Sequence, residues 1–224
     1  MRNSINPYDI SEFELIVDLA CYGPGTRVLI GELAIQTDES VPHGTSNTRR
    51  KGKALAKQPI KLIDRYADIS TLRPGMLVKT WHSGYVPIKA VGVKTIRTGD
   101  DPKTTLFRVP TYDSACVGDA LLVTGGHSVL INNDIIKRIP RETRRLLKFQ
   151  RPLVDGCQRV LAMNWHGAKQ VPTGVVTEIY HIVLGDSSCG KGRGVNYGFW
   201  VNEGWLSEST TMKYFTRYGF KMLG

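Results

Sequence analysis

Cys21-Tyr-Gly-Pro-Gly-Thr-Arg-Val28 places a cysteine directly before a tight turn and the start of an apolar strand. Glycine and proline at 23–25 predict the turn, and the apolar residues that follow predict a strand from Arg27 onward. About a hundred residues later, Thr124-Gly-Gly-His127 places a threonine three residues before a histidine. A thiol, a hydroxyl and an imidazole are the groups with which a chain can attack the peptide bond that precedes its own cysteine.

Composition predicts a globular protein of one domain. The 224 residues are 41% hydrophobic and 8% aromatic, which is typical of a chain with a packed core. Twenty-three glycines and eleven prolines favour β-structure with many turns. The four cysteines are widely spaced, and residues 1–20 lack the basic start and apolar core of a secretory signal. We therefore expect a reduced, intracellular protein without a signal peptide or a transmembrane segment.

Apolar periodicity predicts a mostly β fold with few helices. One helix is predicted over 6–20, running directly into Cys21, and another over 140–149. Residues 38–62 are predicted to form a basic loop and residues 210–224 an aromatic and basic tail. Runs of β-branched and aromatic residues between turn signals predict strands at 76–80, 86–91, 121–124, 128–131, 175–184 and 197–201.

Four blocks of this sequence resemble, in the same order, those of the Hint (Hedgehog/intein) domain family. The blocks are Cys21 with Gly25-Thr26, Ile69–Thr80, Thr124–His127, and Tyr180-His181 with Val201–Ser209. Met76 departs from the pattern, because the family usually has aspartate there. The resemblance covers about 21–209 and implies an all-β, Hint-like horseshoe of short strands with pseudo-two-fold symmetry. Residues 1–20 would be a short helical flank to this domain and residues 210–224 its tail.

The resemblance also implies self-cleavage between Ala20 and Cys21 through an N-to-S acyl shift. Cys21 would be the nucleophile, and it needs activation because a free thiol with a pKa near 8.5 is mostly protonated at neutral pH. His127 would protonate the leaving nitrogen, and Thr124 would hydrogen-bond the scissile peptide. His181 would be a second acid–base group. The product is a thioester at Ala20, the substrate is the protein itself in cis, and no cofactor is expected.

The sequence lacks the residues that other reactions of this family require. The segment after Leu206 contains no His-Asn pair followed by Cys, Ser or Thr, so protein splicing is not expected. We also expect no sterol-recognition region. His43, His82 and His166 have no zinc-ligand spacing, so no metal site is predicted.

The net charge of +10 is concentrated in two clusters, which suggest a different function. The first comprises Arg49, Arg50, Lys51, Lys53 and Lys57, and the second includes Arg141, Arg144 and Arg145. Such clusters either bind phosphate or an acidic protein surface, or are solvated surface. Nucleic acid is compatible with this charge, but no motif supports it, and the first cluster has no aromatic residue for base stacking. The alternative hypothesis is a structural or docking component of a virion, a phage particle or another assembly, which uses the Hint fold without cleavage and binds other proteins of that assembly.

Overall fold

The described part of the chain is mostly β-structure. The computed structural model describes residues 19–33, 61–101, 105–111, 120–147, 156–185 and 197–224. Its strands are β1 (Arg27–Leu33), β2 (Leu62–Asp68), β3 (Leu77–Lys79), β4 (Tyr85–Arg97), β5 (Leu106–Val109), β6 (Leu121–Thr124), β7 (Ser128–Ile131), β8 (Gln158–Leu161), β9 (Lys169–Gln170), β10 (Val176–Leu184), β11 (Gly198–Val201), β12 (Trp205–Glu208) and β13 (Lys221–Leu223). The α-helices are α1 (Arg141–Leu147) and α2 (Met212–Tyr218), and short 3₁₀ helices span Ile69–Thr71 and Ala162–Asn164. The prediction of an all-β class is confirmed.

Two antiparallel sheets contain these strands. In the described ranges, ten strands form one sheet along the path β10-β4-β3-β1-β11-β12-β7-β8, where β2 also pairs with β1 and β13 with β4. The other sheet has the order β6-β5-β9. Residues from both sheets build the main core, whose largest buried side chains are Tyr22, Phe199 and Trp205. Within these same ranges, no helix combines the length and apolarity needed to cross a bilayer.

A short extended segment at Cys21-Tyr22 joins the two sheets. Tyr22 forms single β-bridges to Val123 of β6 and to Tyr180 of β10. The backbone N–H of Tyr22 donates to the Tyr180 oxygen, and the Tyr180 N–H donates back, both at 2.8 Å. The backbone that follows the Ala20–Cys21 bond is therefore fixed between two strands.

The predicted tail is an integral part of the fold. In the segment 210–224, α2 ends at Tyr218 and is followed by Gly219, whose φ of 65° is the left-handed conformation typical of the residue after a helix. The strand β13 then pairs with Val91–Val93 of β4. Phe215 of α2 packs on Gly92, where a Cβ atom would lie 2.7 Å from the phenylalanine ring. Sequence periodicity did not predict this docking, because the segment is short and its partner strand lies far away in the chain.

Other boundaries differ from the prediction. Leu62, the last residue of the predicted loop 38–62, begins β2, whose seven residues pair with β1 over its full length. Residues 38–60 of that predicted loop lie outside the described residues. The predicted helix 6–20 also lies outside them, apart from Leu19 and Ala20. Ala20 belongs to no helix, because the chain is already extending towards the bridges at Tyr22.

Candidate active site at the Ala20–Cys21 peptide

Thr124, the last residue of β6, binds the backbone on both sides of Ala20. The N–H of Cys21 donates to Thr124 Oγ1 at 2.9 Å, and the same hydroxyl donates to the carbonyl oxygen of Leu19. The backbone N–H of Thr124 donates to the Cys21 carbonyl oxygen at 2.9 Å. All four residues are at most 5% exposed, so water does not compete for these hydrogen bonds. Thr124 therefore fixes the nitrogen that the predicted cleavage would release.

Hydrogen bonding to serine orients the ring of His127. His127 Nε2 lies 2.6 Å from Ser207 Oγ, and that hydroxyl donates to the Ser128 carbonyl oxygen at 3.2 Å. When the serine proton is donated to that carbonyl, Nε2 carries the ring hydrogen and Nδ1 keeps its lone pair. Nδ1 is buried and makes no regular hydrogen bond with any described residue. A buried unpaired nitrogen is costly, which is consistent with the acid–base role that the sequence predicts for His127.

The ring of His127 is uncharged at neutral pH. Burial lowers the pKa of His127 to about 3, although the Ala20 backbone partly offsets this effect by favouring the protonated ring. The ring centroid lies 4.3 Å from that of Tyr22 and 5.5 Å from that of His181.

His181, from β10, lies in the same buried cluster. Its ring centroid is 5.3 Å from that of Tyr22, and the His181 side chain is 1% exposed. Burial, together with the charge of a protonated His127, lowers the pKa of His181 well below its ordinary value. Both imidazoles are therefore neutral at neutral pH, and their ring centroids lie 5.5 Å apart.

Tyr214, from α2, contacts the nucleophile and the carbonyl that it would attack. The Tyr214 hydroxyl donates to the Ala20 oxygen at 3.3 Å, and it lies 3.7 Å from Cys21 Sγ. Burial raises the pKa of the Cys21 thiol far above its ordinary value, although the Tyr214 contact partly offsets this effect. The thiol is therefore uncharged before reaction, like both histidines.

The structure brings together the residues that the sequence singles out. Ala20, Cys21, Thr124, His127 and His181 form one buried cluster, although they come from three distant parts of the chain. The sequence prediction did not include two further side chains of the cluster, those of Tyr214 and Ser207. Their signals were weak, since Tyr214 is one of several aromatic residues in the predicted tail and Ser207 is an ordinary strand residue.

The described basic residues Arg141, Arg144 and Arg145 are not part of the buried cluster. Arg141 and Arg145 are exposed on α1, which packs against β8. Arg144 is exposed too, but its guanidinium donates to the carbonyl oxygens of Lys137 and Ile139, at 3.0 and 3.1 Å, so it holds the chain before α1. The first cluster, at 49–57, lies outside the described residues.

We also looked for metal-ligand clusters among the described residues and for similar proteins. Among the described residues, no three or more His, Cys, Asp or Glu side chains are grouped as metal ligands would be. A scan against models of protein families and a search of curated proteins both gave no match to this chain. Assignment to the Hint family therefore stays a prediction from the four sequence blocks.

Proposed function

We propose that this protein cleaves its own chain between Ala20 and Cys21 through an N-to-S acyl shift. The observation that carries this proposal is that side chains from distant elements hold both ends of the scissile amide. Thr124 Oγ1 accepts the hydrogen bond of the Cys21 N–H, and the Tyr214 hydroxyl donates to the Ala20 oxygen. Fixing the reacting groups in this way is how proteins lower the entropic part of a barrier.

The first step is addition of sulfur to the Ala20 carbonyl carbon. The thiol proton passes to the free Nδ1 lone pair of His127, and Sγ attacks within a five-membered ring that includes the Cys21 nitrogen. The carbonyl π electrons move to the oxygen. The imidazolium then returns the proton to the Cys21 nitrogen while the C–N bond breaks. The products are a thioester between Ala20 and Cys21 Sγ and a free amino group at Cys21.

Hydrolysis of the thioester completes the cleavage. Water adds to the thioester carbonyl, which leaves a carboxylate at Ala20 and restores the Cys21 thiol. Across both steps, one water molecule is consumed and no electron is transferred. The fragment that remains begins at Cys21.

Burial of the site accounts for slow, single-turnover chemistry. The thiol must give up its proton although burial raises its pKa, and His127 must accept one although burial lowers its pKa to about 3. Proton transfer inside the cluster costs less than exchange with solvent, since both partners are already adjacent to the peptide. Acid–base assistance of this type accelerates reactions by about 10²- to 10⁴-fold.

Intact-mass measurement over time tests the proposal. We expect the full chain to be converted to residues 21–224, and Cys21→Ala to abolish the conversion. Cys157→Ala is the matched control, because Cys157 is also a buried cysteine but lies in the main core. A wild-type chain that keeps its full mass through prolonged incubation with a thiol reagent refutes cleavage.

A chain that is never cleaved would favour the alternative function, that of a structural or docking protein. Its support is the exposed basic surface of α1, where Arg141 and Arg145 face solvent. The C-terminal segment does not support it, because α2 and β13 are packed into the fold. An uncleaved protein that also co-sediments with an acidic partner of its assembly, and loses that partner on Arg141→Glu, would establish it.

A further inference from the structure

We infer that Tyr214 is a catalytic residue whose hydroxyl binds the oxyanion that forms on Ala20 during cleavage. This inference rests on the proposed self-cleavage and adds a residue that neither the sequence blocks nor the Hint resemblance assigns. It follows from the position of the Tyr214 hydroxyl, which contacts both the Cys21 sulfur and the oxygen of the carbonyl that this sulfur would attack.

The geometry of the hydroxyl is that of a hydrogen-bond bridge. It donates to the Ala20 oxygen at 3.3 Å and lies 3.7 Å from Cys21 Sγ, a contact in which either atom can be the donor. Once the sulfur loses its proton and adds to the carbonyl carbon, the phenol proton still points at the oxygen that receives the charge.

The length of the bond to Ala20 favours the transition state over the ground state. A neutral O–H···O bond is usually about 2.7–2.8 Å long, so the contact at 3.3 Å is weak before reaction. Bonds to a charged oxygen are shorter and about twice as strong, and the tetrahedral carbon moves its oxygen outward as it forms. An interaction that strengthens only as charge develops lowers the barrier.

The surroundings keep the Tyr214 hydroxyl in place and protonated. Its ring centroid lies 4.6 Å from that of Tyr218 and 5.6 Å from that of His181. Burial raises the pKa of Tyr214 far above that of a free phenol, so the group is a donor at every physiological pH. The apolar neighbours also reduce the local dielectric constant, which strengthens a hydrogen bond to a charged oxygen.

Packing of α2 against the sheet fixes the position of the phenol. Phe215, the next residue, is buried on Gly92 of β4, and the Lys94 ammonium donates to the Tyr218 carbonyl oxygen at 2.7 Å. The strand β13 anchors the other end of the segment on β4. The residues 210–224 therefore supply a reacting group from a rigid element rather than from a free tail.

Tyr214→Phe is the direct test, because it removes one oxygen and keeps the ring. The rate to measure is the appearance of residues 21–224 in hydroxylamine, which opens the thioester rapidly and leaves its formation as the observed step. We expect Tyr214→Phe to slow this rate by about 10²-fold or more, the usual effect of losing one oxyanion donor. Tyr218→Phe, the same change one turn later on α2, is the matched control and is expected to change the rate by less than about threefold.

Two further readouts separate a catalytic effect from a folding defect. The near-ultraviolet circular dichroism of Tyr214→Phe must match that of Tyr218→Phe in shape. The ratio of wild-type to Tyr214→Phe rates should also stay constant from about pH 6 to pH 9, because the donor does not titrate there. A ratio that falls to one at high pH would overturn the inference.

The outcomes also distinguish this inference from the proposal beneath it. If the wild type cleaves and Tyr214→Phe cleaves equally fast, the oxyanion role is wrong and self-cleavage stands. If the wild type yields no fragment starting at Cys21, self-cleavage itself is wrong and the inference falls with it.

Discussion

Replacing His127 by glutamine should remove a large part of the acid sensitivity of the fold. In the folded protein, burial lowers the pKa of His127 from 6.5 to about 3. Between these two values the unfolded chain binds a proton that the native chain does not. The free energy of unfolding contributed by this residue is therefore complete above about pH 6.5 and is lost as the pH falls towards 3.

The size of this effect follows from the shift. One pKa unit corresponds to about 1.4 kcal/mol, and pH 4.5 lies about two units below the unfolded pKa of His127. Holding the histidine neutral at that pH therefore costs about 3 kcal/mol of stability relative to pH 7.5. His181, whose pKa is lowered in the same direction, adds a further loss that remains in the variant.

Urea unfolding at pH 7.5 and pH 4.5 measures this difference. The parent chain and both histidine variants should carry Cys21→Ala, so that cleavage does not interfere. We expect the loss of unfolding free energy between the two pH values to be about 3 kcal/mol smaller in His127→Gln. His166→Gln, at an exposed histidine, controls for the substitution itself. Equal losses in all three chains would refute the reasoning, since they would mean that His127 is not held neutral.

Further substitutions test two other contacts, that of Thr124 with Cys21 and that of Gly92 with Phe215. Thr124→Val keeps the side-chain shape but removes the acceptor of the Cys21 N–H, so we expect cleavage to slow by about 10- to 100-fold. Thr124→Ser keeps the acceptor and should retain most of the cleavage rate. Equal cleavage rates for both variants in the mass assay would contradict this role of Thr124. Gly92→Ala places a Cβ atom against the Phe215 ring and should lower the free energy of unfolding by about 1–3 kcal/mol. The double variant Gly92→Ala/Phe215→Leu should lose less free energy of unfolding than the sum of the losses of the two single variants. Strictly additive losses in urea unfolding would argue against this packing.

Local sequence signals predicted much of the strand content. The strands at 121–124 and 128–131 occur as predicted, because turn residues bound their apolar runs on both sides. The strand at 86–91 was predicted too short, since β4 continues to Arg97 through polar residues whose backbone is paired with β10. The strand β2 was not predicted, because its sequence contains three charged residues and its pairing with β1 joins residues far apart in the chain.

Part of the candidate site was also predicted, but from the Hint resemblance rather than from local sequence signals. Cys21, Thr124, His127 and His181 were selected by the order of the Hint blocks, and no local pattern could show that they meet. Tyr214 was not selected, because its contact with the Ala20 oxygen spans 194 residues and depends on the docking of α2 over Gly92. Contacts of that separation arise from tertiary packing, which neither periodicity nor turn chemistry encodes.

Trapping the thioester tests the central claim most directly. Hydroxylamine converts a thioester into a hydroxamic acid and a free thiol, and it leaves an ordinary peptide bond intact under mild conditions. Mass spectrometry of the released peptide should therefore find residues 1–20 with a hydroxamate at the Ala20 carboxyl terminus, and Cys21→Ala should release nothing. A released peptide that carries only a carboxylate in the presence of excess hydroxylamine, or a chain that stays whole, would contradict acyl transfer to the Cys21 sulfur.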